Sequence, residues 1–139
     1  MTVRRDFDVL IAGGGMVGAA LAALLAGGEA TRGLRIALVE PQPALPPLPA
    51  DPVELRVSAL SRAGEGLLVT VGAWPLVVPR RPCAYERMIV WDAASPPSGP
   101  ETLVFDAAEV GEPNLGHIVE NRTVAAALIE RAPRSATAR

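Results

Sequence analysis

The chain has 139 residues, enough for one modest domain, and with half its residues hydrophobic and a fifth charged it has a globular composition. Its net charge is −2, so there is no basic excess to neutralise phosphates, which argues against a nucleic-acid partner. Cys83 is the only cysteine and His117 the only histidine; an internal disulfide is excluded, and two soft ligands are too few for a structural zinc site, so no metal site is expected.

All thirteen basic residues are arginine, a bias that fits GC-rich coding as well as function. Val9 to Gly28 is uncharged and follows Arg4 and Arg5, a pattern shared with signal peptides and membrane spans. Asp6 and Asp8 at its entrance and Gly13, Gly14 and Gly15 in its middle argue against both.

Taken in chain order, Asp8 to Ala12 reads as a strand apolar enough to be buried on both faces. Gly18 to Ala26, rich in Ala and Leu, reads as a helix ended by Gly27 and Gly28. After a polar connection, Leu34 to Val39 reads as a second strand closed by Glu40. Six prolines between Pro41 and Pro52 exclude regular structure there. Arg56 to Leu60 reads as extended. Ser61 is placed to cap a helix through Val71, stopped by Gly72 and weakened by Gly64 and Gly66 at about 1 kcal/mol each. A loop is predicted over Pro75 to Tyr85, then strands over Arg87–Trp91 and Thr102–Asp106, paired as a hairpin. Gly116 to Glu120 reads as another extended piece. Asn121 is predicted to cap a helix to about Arg131 that Pro133 ends, with 134–139 a disordered tail.

Gly13-Gly14-Gly15-Met16-Val17-Gly18 fits G-x-G-x-x-G. Gly13 permits the tight turn from strand to helix, Gly15 leaves room for a pyrophosphate to reach the backbone, and Gly18 lets the helix pack closely. The helix start, with Met16 and Val17, offers free N–H groups and a positive dipole end. The motif alone is weak, but a strand precedes it, a helix follows, and an acid, Glu40, closes a second strand about twenty residues on. Glu40 would accept from the adenosine ribose hydroxyls and repel a 2′-phosphate, which disfavours NADP. The motif does not choose between NAD and FAD.

Beyond Glu40 the chain resembles the ubiquinone-biosynthesis hydroxylases, within the FAD-dependent aromatic monooxygenases of the para-hydroxybenzoate hydroxylase type. The similar stretches are Leu55-Arg-Val-Ser-Ala-Leu-Ser61, Leu67-Leu68 with Gly72-Ala-Trp74, Tyr85-Glu-Arg-Met-Ile-Val-Trp-Asp92, Phe105-Asp-Ala-Ala-Glu-Val-Gly111 and Leu115-Gly-His-Ile-Val-Glu-Asn-Arg122. They follow the family's order and spacing and cover nearly the whole chain. The resemblance implies an FAD enzyme that takes electrons from NAD(P)H and uses O2 to hydroxylate an aromatic ring, here a polyprenylated phenol. It implies that Arg56 lies beside the flavin, and that His117 and Arg122 flank the start of the last helix on the ribityl side. A surface role for Arg56 and a structural role for His117 remain open alongside these. No side chain is assigned as catalytic. Cys83 reads as inert, Trp74 and Trp91 as core or contact residues, and Asp92 and Asp106 as turn starters.

The expected fold class is α/β: a Rossmann-like βαβ FAD-binding unit with additional short strands and a helix, incomplete relative to the family. Residues 1–133 form a partial FAD-binding domain, comprising βαβ 8–40, Pro-rich loop 41–52, flavin-side segment 55–72, strands 86–106 and helix 121–131. The family carries two later flavin motifs, around Asp-Gly and Gly-Asp, that this sequence does not contain. It also carries a further strand beside the first. A truncated hydroxylase, inactive alone and self-associating through an exposed sheet edge, is therefore expected. The setting implied is cytoplasmic and peripheral to the inner membrane, in contact with a ubiquinone-biosynthesis complex. A small NAD-binding dehydrogenase or redox-sensing module, and a non-enzymatic remnant, are the alternatives.

Overall fold

The computed structural model describes residues 6–41 and 53–132. The expectations for the Pro-rich segment from residue 42 to residue 52, for Pro133 and for the 134–139 tail lie outside the described residues.

The first unit is parallel. Strand β1 (Val9–Ala12) leads through the glycines into helix α1 (Met16–Gly27), and strand β2 (Ile36–Val39) returns beside β1. The register sets Val9 against Ile36 and Ala12 against Val39. It is pinned at the far end by Asp8, whose carboxylate accepts from the Arg35 backbone N–H at 2.9 Å and from its guanidinium at 3.1 and 3.0 Å. These bonds hold the Asp8 carboxyl at about 2, below the usual carboxylate range.

Strand β3 (Val57–Ser61) is followed by α2 (Arg62–Thr70), where the Ser61 hydroxyl accepts from the Gly64 N–H as predicted for a cap. Helix α3 (Trp74–Val77) and a 3-10 turn over Val78–Arg80 lead to β4 (Cys83–Tyr85). The loop predicted from Pro75 is therefore mostly ordered. Pro75 stands in the first turn of α3, where its missing N–H costs nothing. Strands β5 (Arg87–Val90) and β6 (Leu103–Asp106) pair antiparallel as the expected hairpin. Strand β7 (Gly116–Glu120) lies between β3 and β4, antiparallel to both, and leads into α4 (Asn121–Arg131). The architecture is mixed α/β and compatible with a Rossmann-like unit.

Helix α1 carries Ala19, Ala22 and Ala23 as its buried positions, and these small side chains let other elements approach closely. Ala19 joins Leu68, Val77, Val119, Val124 and Leu128 in the main core; Ala22 joins Ile11, Ile36 and Ala132 in a second cluster against β1–β2.

Two expectations need correction. Strand β1 is not buried on both faces: Ile11 is covered, but Leu10 is 66% exposed, because among the described residues the packing from α1 and Ala132 gathers around Ile11 and only β2 pairs with the strand. Asn121 is not a cap either. It is the first residue inside α4, its Oδ1 accepts from the Ser58 hydroxyl at 2.7 Å, and its N–H donates to the Arg56 carbonyl at 3.0 Å. The next N–H, of Arg122, donates to the Glu54 carboxylate at 3.3 Å. A distant acid thus does the capping.

Candidate dinucleotide-binding site

Parallel pairing brings the carboxyl ends of β1 and β2 to the same edge, so the glycine turn after Ala12 and the acid after Val39 must meet. The Gly13 N–H donates to the Val39 carbonyl at 2.8 Å, tying the turn to the end of β2. Gly13 turns with φ +102°, a left-handed conformation that side chains disfavour. The Gly14 N–H then donates to Glu40 Oε2 at 2.6 Å.

Gly15 stands at the N-cap of α1, with no side chain capping the helix. The Ala19 N–H reaches the Gly15 carbonyl at 2.9 Å, which leaves the first-turn N–H groups of Met16, Val17 and Gly18 for a ligand. A Cβ built at Gly15 would have nothing within 4 Å, so the space beside it is open. At Gly18 a Cβ would run into the Gly13 carbonyl oxygen; glycine there allows the turn and helix to close on each other. The side chain of Met16 packs against the main core, and that of Val17 is 85% exposed. Both can therefore serve an anion through their N–H groups. An open cradle of backbone donors beside a carboxylate fits a pyrophosphate linked to a ribose.

The remaining candidates lie elsewhere. Arg56 is exposed just before β3, and its guanidinium has no hydrogen-bond partner among the described residues. Its backbone is bonded to the start of α4, so Arg56 and Arg122 are neighbours there. The Arg122 Nε is buried without a hydrogen bond among the described residues, 4.0 Å from Glu54 Oε1. His117 lies near the other end of β7. Its Nδ1 is 3.2 Å from Glu65 Oε2, and its ring tilts against Trp74 at 5.2 Å between centroids. Glu65 also accepts from Arg62 at 2.8 Å. Sequence reading has no signal for Glu65, which is 52 residues from His117, nor for Glu54 as the partner of Arg122.

Asp92 and Asp106 do start turns, accepting from the Ala94 N–H at 2.8 Å and the Ala108 N–H at 3.0 Å. Asp106 also accepts from Arg87 at 2.7 Å, which lowers its pKa. Cys83 is exposed, and the neighbouring Arg81 points to Glu120 at 3.4 Å. No group of His, Cys, Asp and Glu among the described residues could hold a metal ion, and no helix among them is long and apolar enough to cross a membrane.

No family model matches the chain. Individual relatives do. It is 36% identical over 121 residues to the 3-demethoxyubiquinol 3-hydroxylase of Escherichia coli (strain K12), covering 87% of this chain and 29% of that protein. It is 35% identical over 127 residues to the mitochondrial ubiquinone biosynthesis monooxygenase COQ6 of Danio rerio, covering 90% of this chain and 25% of the relative. For the Homo sapiens protein of the same name the figures are 36% over 128 residues, 90% and 26%. The chain thus spans between a quarter and under a third of the length of these relatives.

Proposed function

The chain belongs, over about nine-tenths of its length, to the family of ubiquinone-biosynthesis hydroxylases and monooxygenases, and we propose that it forms the adenosine- and pyrophosphate-holding part of an FAD site in such an enzyme. The observation that carries this reading is the uncapped start of α1, with open space at Gly15 and the Glu40 carboxylate beside it. In this reading the N–H groups of Met16, Val17 and Gly18 donate to the pyrophosphate, and Glu40 accepts from the adenosine ribose. Arg56 and Arg122, adjacent at the start of α4, place positive charge for the ribityl and phosphate oxygens. His117, held by Glu65 near the opposite end of β7, is a further candidate for a ribityl hydroxyl.

Flavin, when bound, supplies the O2 chemistry that hydroxylation of an aromatic ring requires, with NAD(P)H as reductant. The activities that name the relatives, a 3-demethoxyubiquinol 3-hydroxylase and a ubiquinone biosynthesis monooxygenase, support a polyprenylated aromatic substrate. Such a substrate resides in lipid, which supports a cytoplasmic protein peripheral to the inner membrane and in contact with a ubiquinone-biosynthesis complex.

The test is purification of the chain followed by titration with FAD and with NAD. Flavin absorbance retained on the protein, or a saturable FAD-dependent rise in melting temperature, is the expected result. A rise with NAD and none with FAD would support a nicotinamide-binding module. No response to either would contradict the dinucleotide reading.

A further inference from the structure

The middle glycine of the turn stands where the sequence motif allows any residue, yet the structure makes a demand on it. Gly14 is buried and needs no positive φ, so backbone conformation does not require glycine. What excludes a side chain is Glu40. A Cβ at Gly14 would lie 2.9 Å from Glu40 Cβ, 3.0 Å from its Cγ and 3.1 Å from its Oε2. Rotating the Glu40 side chain relieves the last two contacts and not the first, because Cβ is fixed by the backbone. The backbone at the end of β2 is itself held by the Gly13 N–H to Val39 carbonyl bond at 2.8 Å. Meanwhile the Gly14 N–H, at 2.6 Å from Glu40 Oε2, turns the carboxylate over the glycine loop.

We propose that Gly14 is the positioning residue for Glu40: its missing side chain and its N–H together set the carboxylate at the height where it reads a ribose hydroxyl pair on a nucleotide whose phosphates sit on α1. This rests on the dinucleotide-site reading above. It assigns ribose selectivity to the pair Gly14–Glu40, and leaves phosphate affinity to the start of α1 and to the arginines.

The experiment is calorimetric titration of the chain with ADP and with 2′,3′-dideoxy-ADP, for the parent, Gly14→Ala, Glu40→Gly and the double variant, each checked by thermal melting. A charge-assisted hydrogen bond corresponds to a preference of roughly tenfold for ADP in the parent. In Gly14→Ala the preference falls to under about twofold while 2′,3′-dideoxy-ADP affinity changes little, because the phosphate cradle is untouched. Glu40→Gly behaves alike. In the double variant, where Glu40→Gly removes the Cβ that an alanine at position 14 would meet, the added Gly14→Ala substitution changes nothing more. Retention of the parental preference in Gly14→Ala overturns the proposal. So does an equal loss for both nucleotides that persists in the Glu40→Gly background, which would show that Gly14 serves the loop and not Glu40. A parent chain that binds neither nucleotide refutes the dinucleotide site itself, and the proposal falls with it.

Discussion

A methyl group at Gly18 would collide with the Gly13 carbonyl, whereas one at Gly15 would meet nothing within 4 Å. The two glycines of one motif therefore differ in what the fold asks of them: the first is required by packing, and the second, in the proposed reading, leaves room for a ligand. Gly18→Ala is expected to destabilise the chain by about 1–3 kcal/mol through overpacking, read as a lower melting temperature. Gly15→Ala is expected to leave the melting temperature unchanged and to weaken nucleotide binding by roughly tenfold or more, since only a bound pyrophosphate would meet the new methyl group. Equal loss of stability in both variants would contradict this division. At the opposite end of the sheet, Asp8 is held at about 2 by Arg35. A carboxyl with a lowered pKa contributes stability above its unfolded value of about 4, and loses it as the pH falls from there towards 2. The melting temperature should therefore drop more steeply over that window in the parent than in Asp8→Asn. Because the pair is exposed, added salt should shrink the difference.

Strand β1 pairs on one side only among the described residues, and Leu10 stands on its uncovered face. The β5–β6 hairpin is exposed over Met88, Ile89, Val90, Leu103, Val104 and Phe105, and a two-stranded hairpin is marginal by itself. Such edges and faces pair with other chains. Light scattering on the chain is expected to show concentration-dependent self-association, and Leu10→Lys to raise its dissociation constant by about tenfold. A parent that stays monomeric at high concentration would contradict this. The elements most legible in the sequence are those with local causes: the βαβ unit, where apolar runs flank glycines, the Ser61 cap, and the hairpin. Of the central β3–β7–β4 sheet, β3 and β7 are legible only as unpaired extended pieces and β4 reads as loop, because Ser58 meets Val119 and Cys83 meets Ile118 across tens of residues, and no local pattern carries such partners. Pro75 reads as a breaker, though a first-turn proline suits a helix. Asn121 reads as a cap because its residue type favours that place; Glu54 and Arg56, far back in the chain, fill the role instead.

At the scale of the molecule, α1 joins two clusters. Through Ala22 it packs on the parallel pair that presents Gly13–Gly18 and Glu40, and through Ala19 on the core shared by α2, α3, β7 and α4. The glycine site is legible because every part of it lies within Gly13–Glu40 and follows from parallel pairing. The placement of Arg56, Arg122 and His117 is less so, since it depends on antiparallel pairing and on acids, Glu54 and Glu65, that no motif marks. In the proposed reading the site takes the adenosine and pyrophosphate end of a flavin dinucleotide and not the ring end, and that is the claim most directly open to measurement. Titration calorimetry of the chain with FAD, ADP and FMN tests it: FAD and ADP should bind competitively at one site, and FMN, which lacks the adenosine half, should neither bind there nor displace them. FMN binding as tightly as FAD, or binding of neither FAD nor ADP, would contradict the account.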